Sequence, residues 1–250
     1  MVKIGHASIS ETNTINGEKG DQTGKEVCVR NWYSKPWDYM AIHPDPDVRD
    51  RHAKAVEDAC NNDLIGYGQR DRNSLNEEAK KVGYRLDRIS NPCNTDCSEF
   101  MNVCAVASGA NVTHASNGWT TSTMKSKLEA AGYKIITDKK YLTSEAYSVR
   151  GGILVKSGSH TVCALSNGDK APELLESLGL IKIDKDIEYY PKYTGTSKSI
   201  EDALKAVGEK KASYTDRKKI AEKNGISGYT GQPAQNTKML TLLKQGKLRK

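Results

Sequence analysis

Residues 94–109 of the chain, NTDCSEFMNVCAVASG, predict a helix that begins at a cysteine. Thr95 or Asp96 can cap the first turn, because a side-chain oxygen there can accept the unpaired backbone N–H groups. The apolar residues that follow recur at helical spacing and define one buried face: Phe100, Val103, Cys104 and Ala107. Gly109 suits the residue that ends a helix. The stretch therefore places Cys97 in the first turn of a buried helix.

Cys97 could act as a nucleophile, serve as a metal ligand, or pack as one more small buried residue. The first turn of a helix carries partial positive charge and free N–H groups, which favour the thiolate over the thiol. The same N–H groups can donate to the oxyanion that forms when a carbonyl is attacked. The position therefore suits acyl chemistry, which also needs a general base.

His160 is the histidine whose position best suits a general base. It opens the apolar stretch HTVCALSNG (160–168), directly after a second strand-like stretch, GGILVKSG (151–158). A hairpin of the two would place His160 at a strand edge facing the helix of Cys97. A hydrogen-bonded histidine without a catalytic role is the alternative. His43, beside Pro44, and His52, on a polar helix, are expected at the surface.

The order of the predicted elements indicates an α+β domain. A strand is predicted at residues 3–9, ahead of a glycine-rich loop. Helices follow, one starting near Pro46 and the others at 75–82, 97–108 and 122–131. Three strands come last, at 133–137, 152–156 and 160–165. We expect these three strands to form an antiparallel meander.

Several segments resemble the NlpC-type and CHAP-type cysteine peptidases and amidases, papain-like enzymes that cut peptidoglycan. TDCSEF (95–100) is similar to their DCS nucleophile motif, and GGILVKSGSHTVCAL (151–165) resembles the segment that delivers their base histidine. IGYGQRDR (65–72) is similar to the Tyr- and Gln-containing stretch upstream of their nucleophile. Residues 5–27 and the C-terminal tail resemble endolysins of phages and prophages of Clostridia-like bacteria. The resemblance spans nearly the whole chain.

This resemblance implies a papain-like domain of helices packed on an antiparallel sheet, followed by a small all-α C-terminal module. Cys97 then corresponds to the nucleophile, and His160 to the general base and later acid. Tyr67 and Gln69 would line the cleft for the stem peptide, with structural packing as the alternative. Neither a metal nor a cofactor is implied.

Two positions depart from the pattern of these enzymes. Gly152 stands where an aspartate is usual, and we expect only a local structural effect. The third catalytic residue, which orients the imidazole, normally comes from the strand after the histidine strand, whereas here the chain continues into a linker. We assign this role to Asn167, which is close in sequence. His6 or Gln22 would serve instead if the N-terminal strand pairs beside His160.

The cysteines are few and irregularly spaced, so we expect reduced thiols: Cys28, Cys60, Cys93, Cys97, Cys104 and Cys163. A zinc site is not expected, because the spacing of the candidate ligands lacks paired CxxC knuckles: Cys93, Cys97, Cys104 and His114. No apolar run approaches the length of a membrane span, and the first residues lack the apolar core of a secretory signal.

Positive charge is concentrated in the tail. Residues 191–250 contain 14 Lys and Arg against 5 Asp and Glu, a net charge of +9, whereas the whole chain carries +7. Three short helices are predicted there, with Ser199 capping 200–207, Thr215 capping 216–223, and a last helix at 236–244. Such a module suits an anionic surface, with a solvated, solubilising face as the alternative. We divide the chain into a catalytic domain (1–168), a linker (169–194) and a wall-binding module (195–250).

Together these features predict an endolysin that cleaves an amide bond of the stem peptide or the muramoyl-L-alanine junction. Its partner would be cell-wall polymer, not nucleic acid or a membrane, and it would be made in the host cytoplasm and act at the wall after release. The alternatives are a cysteine-dependent acyltransferase or protease, and a non-catalytic wall- or nucleic-acid-binding protein. In the nucleic-acid case, tail tyrosines would stack on bases: Tyr190, Tyr193, Tyr214 and Tyr229.

Overall fold

The computed structural model describes residues 1–9, 14–114, 117–182 and 188–250, and the chain divides into two units, Met1–Lys182 and Ile183–Lys250. Residues 10–13, within the endolysin-like N-terminal stretch, and residues 183–187, within the predicted linker, lie outside the described residues. None of the helices in the described ranges is long and apolar enough to cross a membrane.

The first unit is a mixed α+β structure. Its strands are β1 (Lys3–Ala7), β2 (Val27–Asn31), β3 (Tyr39–Ile42), β4 (Ile65–Tyr67), β5 (Cys93–Thr95), β6 (Lys134–Ile136), β7 (Ile153–Lys156) and β8 (His160–Ala164). Its α-helices are α1 (Pro46–Cys60), α2 (Ser74–Lys81), α3 (Cys97–Ala107), α4 (Met124–Ala130) and α5 (Ala171–Ser177). Short 3₁₀ turns occupy Leu86–Arg88, Lys139–Tyr141 and Glu145–Tyr147.

Six strands form one antiparallel sheet in the order β2-β1-β8-β7-β3-β6, and β4 and β5 form a separate parallel pair. The predicted hairpin of β7 and β8 is confirmed, with His160 opposite Lys156. The predicted meander is wrong, because β6 pairs with β3 and not with β7. The sequence analysis missed β3, whose four residues are all buried and so show none of the alternation that marks a half-buried strand.

The two faces of the sheet carry different partners. Alternate strand residues such as Ala41, Val155 and Cys163 share a buried cluster with residues of α1 and α3. The intervening residues, including Ile4, Leu154 and Val162, share a second cluster with Trp37 and residues of α5. Because side chains alternate along a strand, His160 belongs to the same face of β8 as Val162.

The predicted helix starts of this unit are confirmed at two caps. Asp45 accepts a hydrogen bond from the Asp47 N–H ahead of α1, with Pro46 as its first residue. Asp96 caps α3 by accepting from the backbone N–H groups of Ser98 and Glu99 at 2.9 and 2.8 Å. The expectation that His52 lies at the surface is wrong, because α1 is packed on the sheet and His52 is only 1% exposed.

The second unit contains three helices in its described residues: α6 (Ile200–Ala206), α7 (Tyr214–Lys223) and α8 (Pro233–Lys244). Ser199 caps α6 as predicted. The start of α7 was predicted too late, because Ser213 and not Thr215 is the cap, in a capping box with Asp216. The start of α8 was also predicted too late, since Pro233 begins it. One residue of α6, one of α7 and two of α8 contribute to a small buried core: Leu204, Ile220, Leu240 and Leu243.

Candidate active site

Cys97 lies where two central strands stop pairing with each other. β1 pairs with β8 only at Ile4 with Ala164 and at Gly5 with Cys163, whereas β8 continues to His160 along β7. The N-terminus of α3 meets this extension of β8, and the Thr161 backbone N–H lies close enough to the Cys97 sulfur to lower the pKa of the thiol. The fold therefore places the thiol against the residue that follows His160.

The Cys97 thiol is protonated at rest. Burial raises its pKa, the Asp96 carboxylate raises it further, and the N–H groups of Thr161 and Ser98 only partly offset this, so that the pKa lies at about 11. This differs from the expectation that a helix start favours the thiolate. The reason is that the residue is 7% exposed and that the side chain capping the helix is itself an anion.

His160 is a buried, neutral imidazole. Its Nε2 lies 3.4 Å from Nδ1 of His6, and the two rings meet edge to face with centroids 5.6 Å apart. The Trp37 ring stacks on the other side with a centroid separation of 6.5 Å. Burial, then the charges of His6, Lys35 and Arg30, lower its pKa to about 3. The unprotonated ring is therefore available as a proton acceptor.

His6 Nδ1 faces the His160 ring, whereas the hydrogen bond of Asn167, the residue assigned to orient the imidazole, lies elsewhere. Asn167 lies past the far end of β8, where its Oδ1 accepts the Arg150 backbone N–H at 2.7 Å. Gln22 donates through Nε2 to the Lys19 and Gly20 carbonyls. The sequence analysis named His6 as an alternative for the residue that orients His160. The pairing of β1 with β8 is what brings His6 to His160.

Two tyrosines lie near the Cys97 sulfur. The Tyr67 hydroxyl accepts a hydrogen bond from Gln69 Nε2 at 3.2 Å, and its pKa is raised by burial and, to a smaller extent, by Cys97. Burial raises the pKa of Tyr33 to about 12, with Arg30 lowering it and Cys97 raising it. Tyr67 was predicted at the cleft, whereas the proximity of Tyr33 to Cys97 was not predicted from the sequence.

An ionic network holds the first turn of α3. Arg72 contacts the Asp96 carboxylate at 2.6 Å and the Glu99 carboxylate at 3.7 Å. Glu99 is fully buried, also contacts His114, and burial raises its pKa to about 8. Across the described ranges of the chain, no group of three or more His, Cys, Asp or Glu residues is placed to hold a metal ion.

Open cavities follow the edge strand β2. One of about 660 Å³ is lined by Lys3, Trp32 and Tyr33, and one of about 610 Å³ by Ser8, Lys25 and Cys28. Arg30 lines both cavities, and its charge also contributes to the lowered pKa values of His6 and His160. Lys3, Lys25 and Arg30 therefore give the two cavities along β2 a positively charged lining.

The model of the endolysin-like domain family matches residues 4–171, which run from the second residue of β1 through β8 and include α1 to α4. The chain belongs to this family. Membership indicates a hydrolytic enzyme with a lytic function directed at bacterial peptidoglycan. Neither the curated proteins nor the solved structures compared with the chain match it.

Proposed function

We propose that the chain is a papain-like cysteine endopeptidase or amidase of peptidoglycan, with Cys97 as nucleophile, His160 as base and His6 as the orienting third residue. One observation carries this proposal: the N-terminus of α3 brings the Cys97 thiol against Thr161, the residue next to His160, and the His160 Nε2 lies 3.4 Å from Nδ1 of His6. A nucleophile, a base and a group that orients the base are the recurring parts of thiol acyl transfer.

Because both Cys97 and His160 are neutral at rest, proton transfer accompanies attack. His160 takes the thiol proton as the sulfur bonds to the amide carbon, giving a tetrahedral oxyanion and an imidazolium. The imidazolium then donates its proton to the leaving amine as the C–N bond breaks, which leaves a thioester. Water attacks the thioester with His160 again as base, releasing the carboxylic acid and restoring the thiol.

Fewer backbone N–H groups of α3 are available to the oxyanion than at the start of a helix without a side-chain cap. The N–H groups of Ser98 and Glu99 are directed to the Asp96 carboxylate. We assign the oxyanion to the Cys97 N–H and to the Tyr67 hydroxyl, whose oxygen already accepts from Gln69 and whose proton can therefore point outward.

The second unit is proposed to hold the enzyme on anionic wall polymer. The net charge of +9 over residues 191–250 supports this, as binding of the second unit raises the local concentration of the first. The nucleic-acid alternative loses support because Tyr190, Tyr193 and Tyr229 are buried and cannot stack on bases. We retain the proposal that the protein is made in the host cytoplasm and acts at the wall after release.

Mass spectrometry of the fragments released from purified clostridial peptidoglycan tests the mechanism. Wild type should release fragments with new amine ends, whose masses name the bond, and Cys97→Ala should release none. Cys93→Ala is the matched control, because it removes another buried thiol only four residues upstream of Cys97. Release by Cys97→Ala equal to that of the wild type would rule out the thiol mechanism.

A further inference from the structure

A second cysteine, Cys28, contacts the ring of His6 on the side away from His160. His6 and Cys28 are directly opposite each other in the β1–β2 ladder. The Cys28 sulfur lies 3.6 Å from His6 Nε2, while the other ring nitrogen of His6, Nδ1, faces His160. Cys28 is half-buried and lines the cavity of about 610 Å³ beside β2.

The backbone carbonyl of Lys25 indicates which partner donates in the hydrogen bond between Cys28 and His6. The Cys28 sulfur is also 3.3 Å from the Lys25 carbonyl oxygen, which can only accept. A thiol has one proton, so when it is donated to Lys25 the sulfur must act as acceptor toward His6. The proton between Cys28 and His6 then belongs to Nε2 of His6.

The proton position on His6 determines the one on His160. His6 is 1% exposed, and burial followed by the Arg30 charge lowers its pKa to about 4, so the ring carries a single N–H at neutral pH. With that N–H at Nε2, Nδ1 is a bare lone pair and accepts the Nε2–H of His160. The Nδ1 of His160 is then unprotonated, which is the form a general base requires.

We infer that Cys28 is a positioning residue that fixes the tautomer of His6 and, through it, the tautomer in which His160 can accept a proton from Cys97. This inference rests on the proposed thiol mechanism. If His6 instead carried its proton on Nδ1, it would donate to His160 Nε2, and the His160 proton would move to Nδ1. Such a ring could not take the Cys97 proton.

Nitrogen-15 NMR of the imidazole rings in the resting, full-length protein tests the tautomers without relying on activity. At pH 7 the two-bond proton correlations of His6 should show the proton on Nε2 in the wild type and in Cys28→Ser, because a hydroxyl can make the same two hydrogen bonds. Cys28→Ala should show a mixture of both tautomers. Cys60→Ala is the matched control, because the Cys60 sulfur contacts the backbone N–H of His6 and not its ring.

Turnover supplies the second readout. Cys28→Ala should lower kcat by about tenfold or more at unchanged KM, the size expected when a general base is misplaced, while Cys28→Ser and Cys60→Ala keep kcat near the wild-type value. A proton on Nδ1 of His6 in the wild type would overturn the inference, even if Cys28→Ala failed to fold. Unchanged tautomers and kcat in a folded Cys28→Ala would also overturn it. Wild-type tautomers as expected, together with an active Cys97→Ala, would refute the thiol mechanism and not the hydrogen-bond chain.

Discussion

At the scale of single residues, the proposed nucleophile, Cys97, and the proposed base, His160, are both uncharged at rest. Burial acts on both groups in the direction of the uncharged form, raising the pKa of Cys97 and lowering that of His160. A preformed thiolate–imidazolium pair would react with small electrophiles at mildly acidic and neutral pH. The neutral pair gives a different pH profile, which can be measured.

We predict that alkylation of Cys97 by iodoacetamide is slow at pH 7 and rises steadily with pH toward its pKa of about 11. Asp96→Asn should speed alkylation at pH 8 several-fold, because the amide oxygen still caps α3 while the anion that raises the Cys97 pKa is removed. Peptide mass spectrometry would follow Cys97 separately from the other thiols. A rate plateau between about pH 5 and pH 8 would contradict the prediction and indicate an ion pair.

A second prediction at this scale concerns His52. The residue is 1% exposed, and neither ring nitrogen has a hydrogen-bond partner among the described residues. Removing an unpaired buried polar group is worth about 1–3 kcal/mol, so His52→Leu should raise the free energy of unfolding at pH 7.5 by about 1 kcal/mol. Urea unfolding of the two proteins measures the difference.

The same comparison has a defined pH dependence. Burial lowers the His52 pKa from its ordinary value of 6.5 to about 4 in the folded protein. Below pH 6.5 the unfolded chain binds a proton at His52 that the folded protein does not bind. The free energy of unfolding of the wild type therefore falls as the pH is lowered from 6.5 toward 4. The difference in free energy of unfolding between His52→Leu and the wild type should grow by about 2 kcal/mol from pH 7.5 to pH 4.5. If the difference in free energy of unfolding did not change with pH, it would contradict the lowered pKa of His52 in the folded protein.

At the scale of elements, the sequence determined helix ends better than strand partners. Asp96 and Ser199 were identifiable as caps because a cap is a local hydrogen bond between residues two or three apart. β3 was missed because its four residues are all apolar and buried. The contact between His6 and His160 could not be singled out from the sequence, because pairing of β1 with β8 joins residues about 160 positions apart and leaves no periodic signal.

The start of α7 gives a prediction at this scale. Ser213 accepts the Asp216 N–H and Asp216 accepts the Ser213 N–H, so Ser213→Ala should destabilise the second unit by about 1 kcal/mol. Hydrogen exchange of the α7 amides in the full-length protein should become faster by the corresponding factor. Thr215→Ala is the matched control at the position where the sequence suggested a cap, and it should leave exchange unchanged. Equal effects of the two substitutions would contradict the assigned cap.

At the scale of the whole molecule, charge and chemistry belong to different units. Cys97 and His160 lie in Met1–Lys182, while the excess of Lys and Arg lies in residues 191–250. If binding of wall polymer is mainly electrostatic, it weakens as salt screens the charges. Cleavage by a buried thiol should depend much less on salt.

We therefore predict that a variant ending at Lys182 loses most salt-sensitive sedimentation with cell walls but still cleaves soluble peptidoglycan fragments at a rate within a few-fold of the wild type. Cys97→Ala in the full chain is the complementary control, with sedimentation intact and no cleavage. Sedimentation of the variant equal to that of the wild type would assign wall binding to the first unit. Retention of the full chain on single-stranded DNA, and not on walls, would instead favour the nucleic-acid alternative.

The protonated state of Cys97 affects how readily the protein is inactivated by oxidation. Peroxide attacks the thiolate form of cysteine, and the resulting sulfenic acid can proceed to irreversibly oxidised acids. A thiol with a pKa of about 11 exposes very little thiolate at neutral pH. The burial that keeps the Cys97 thiol protonated thus also protects it from oxidation in the resting protein.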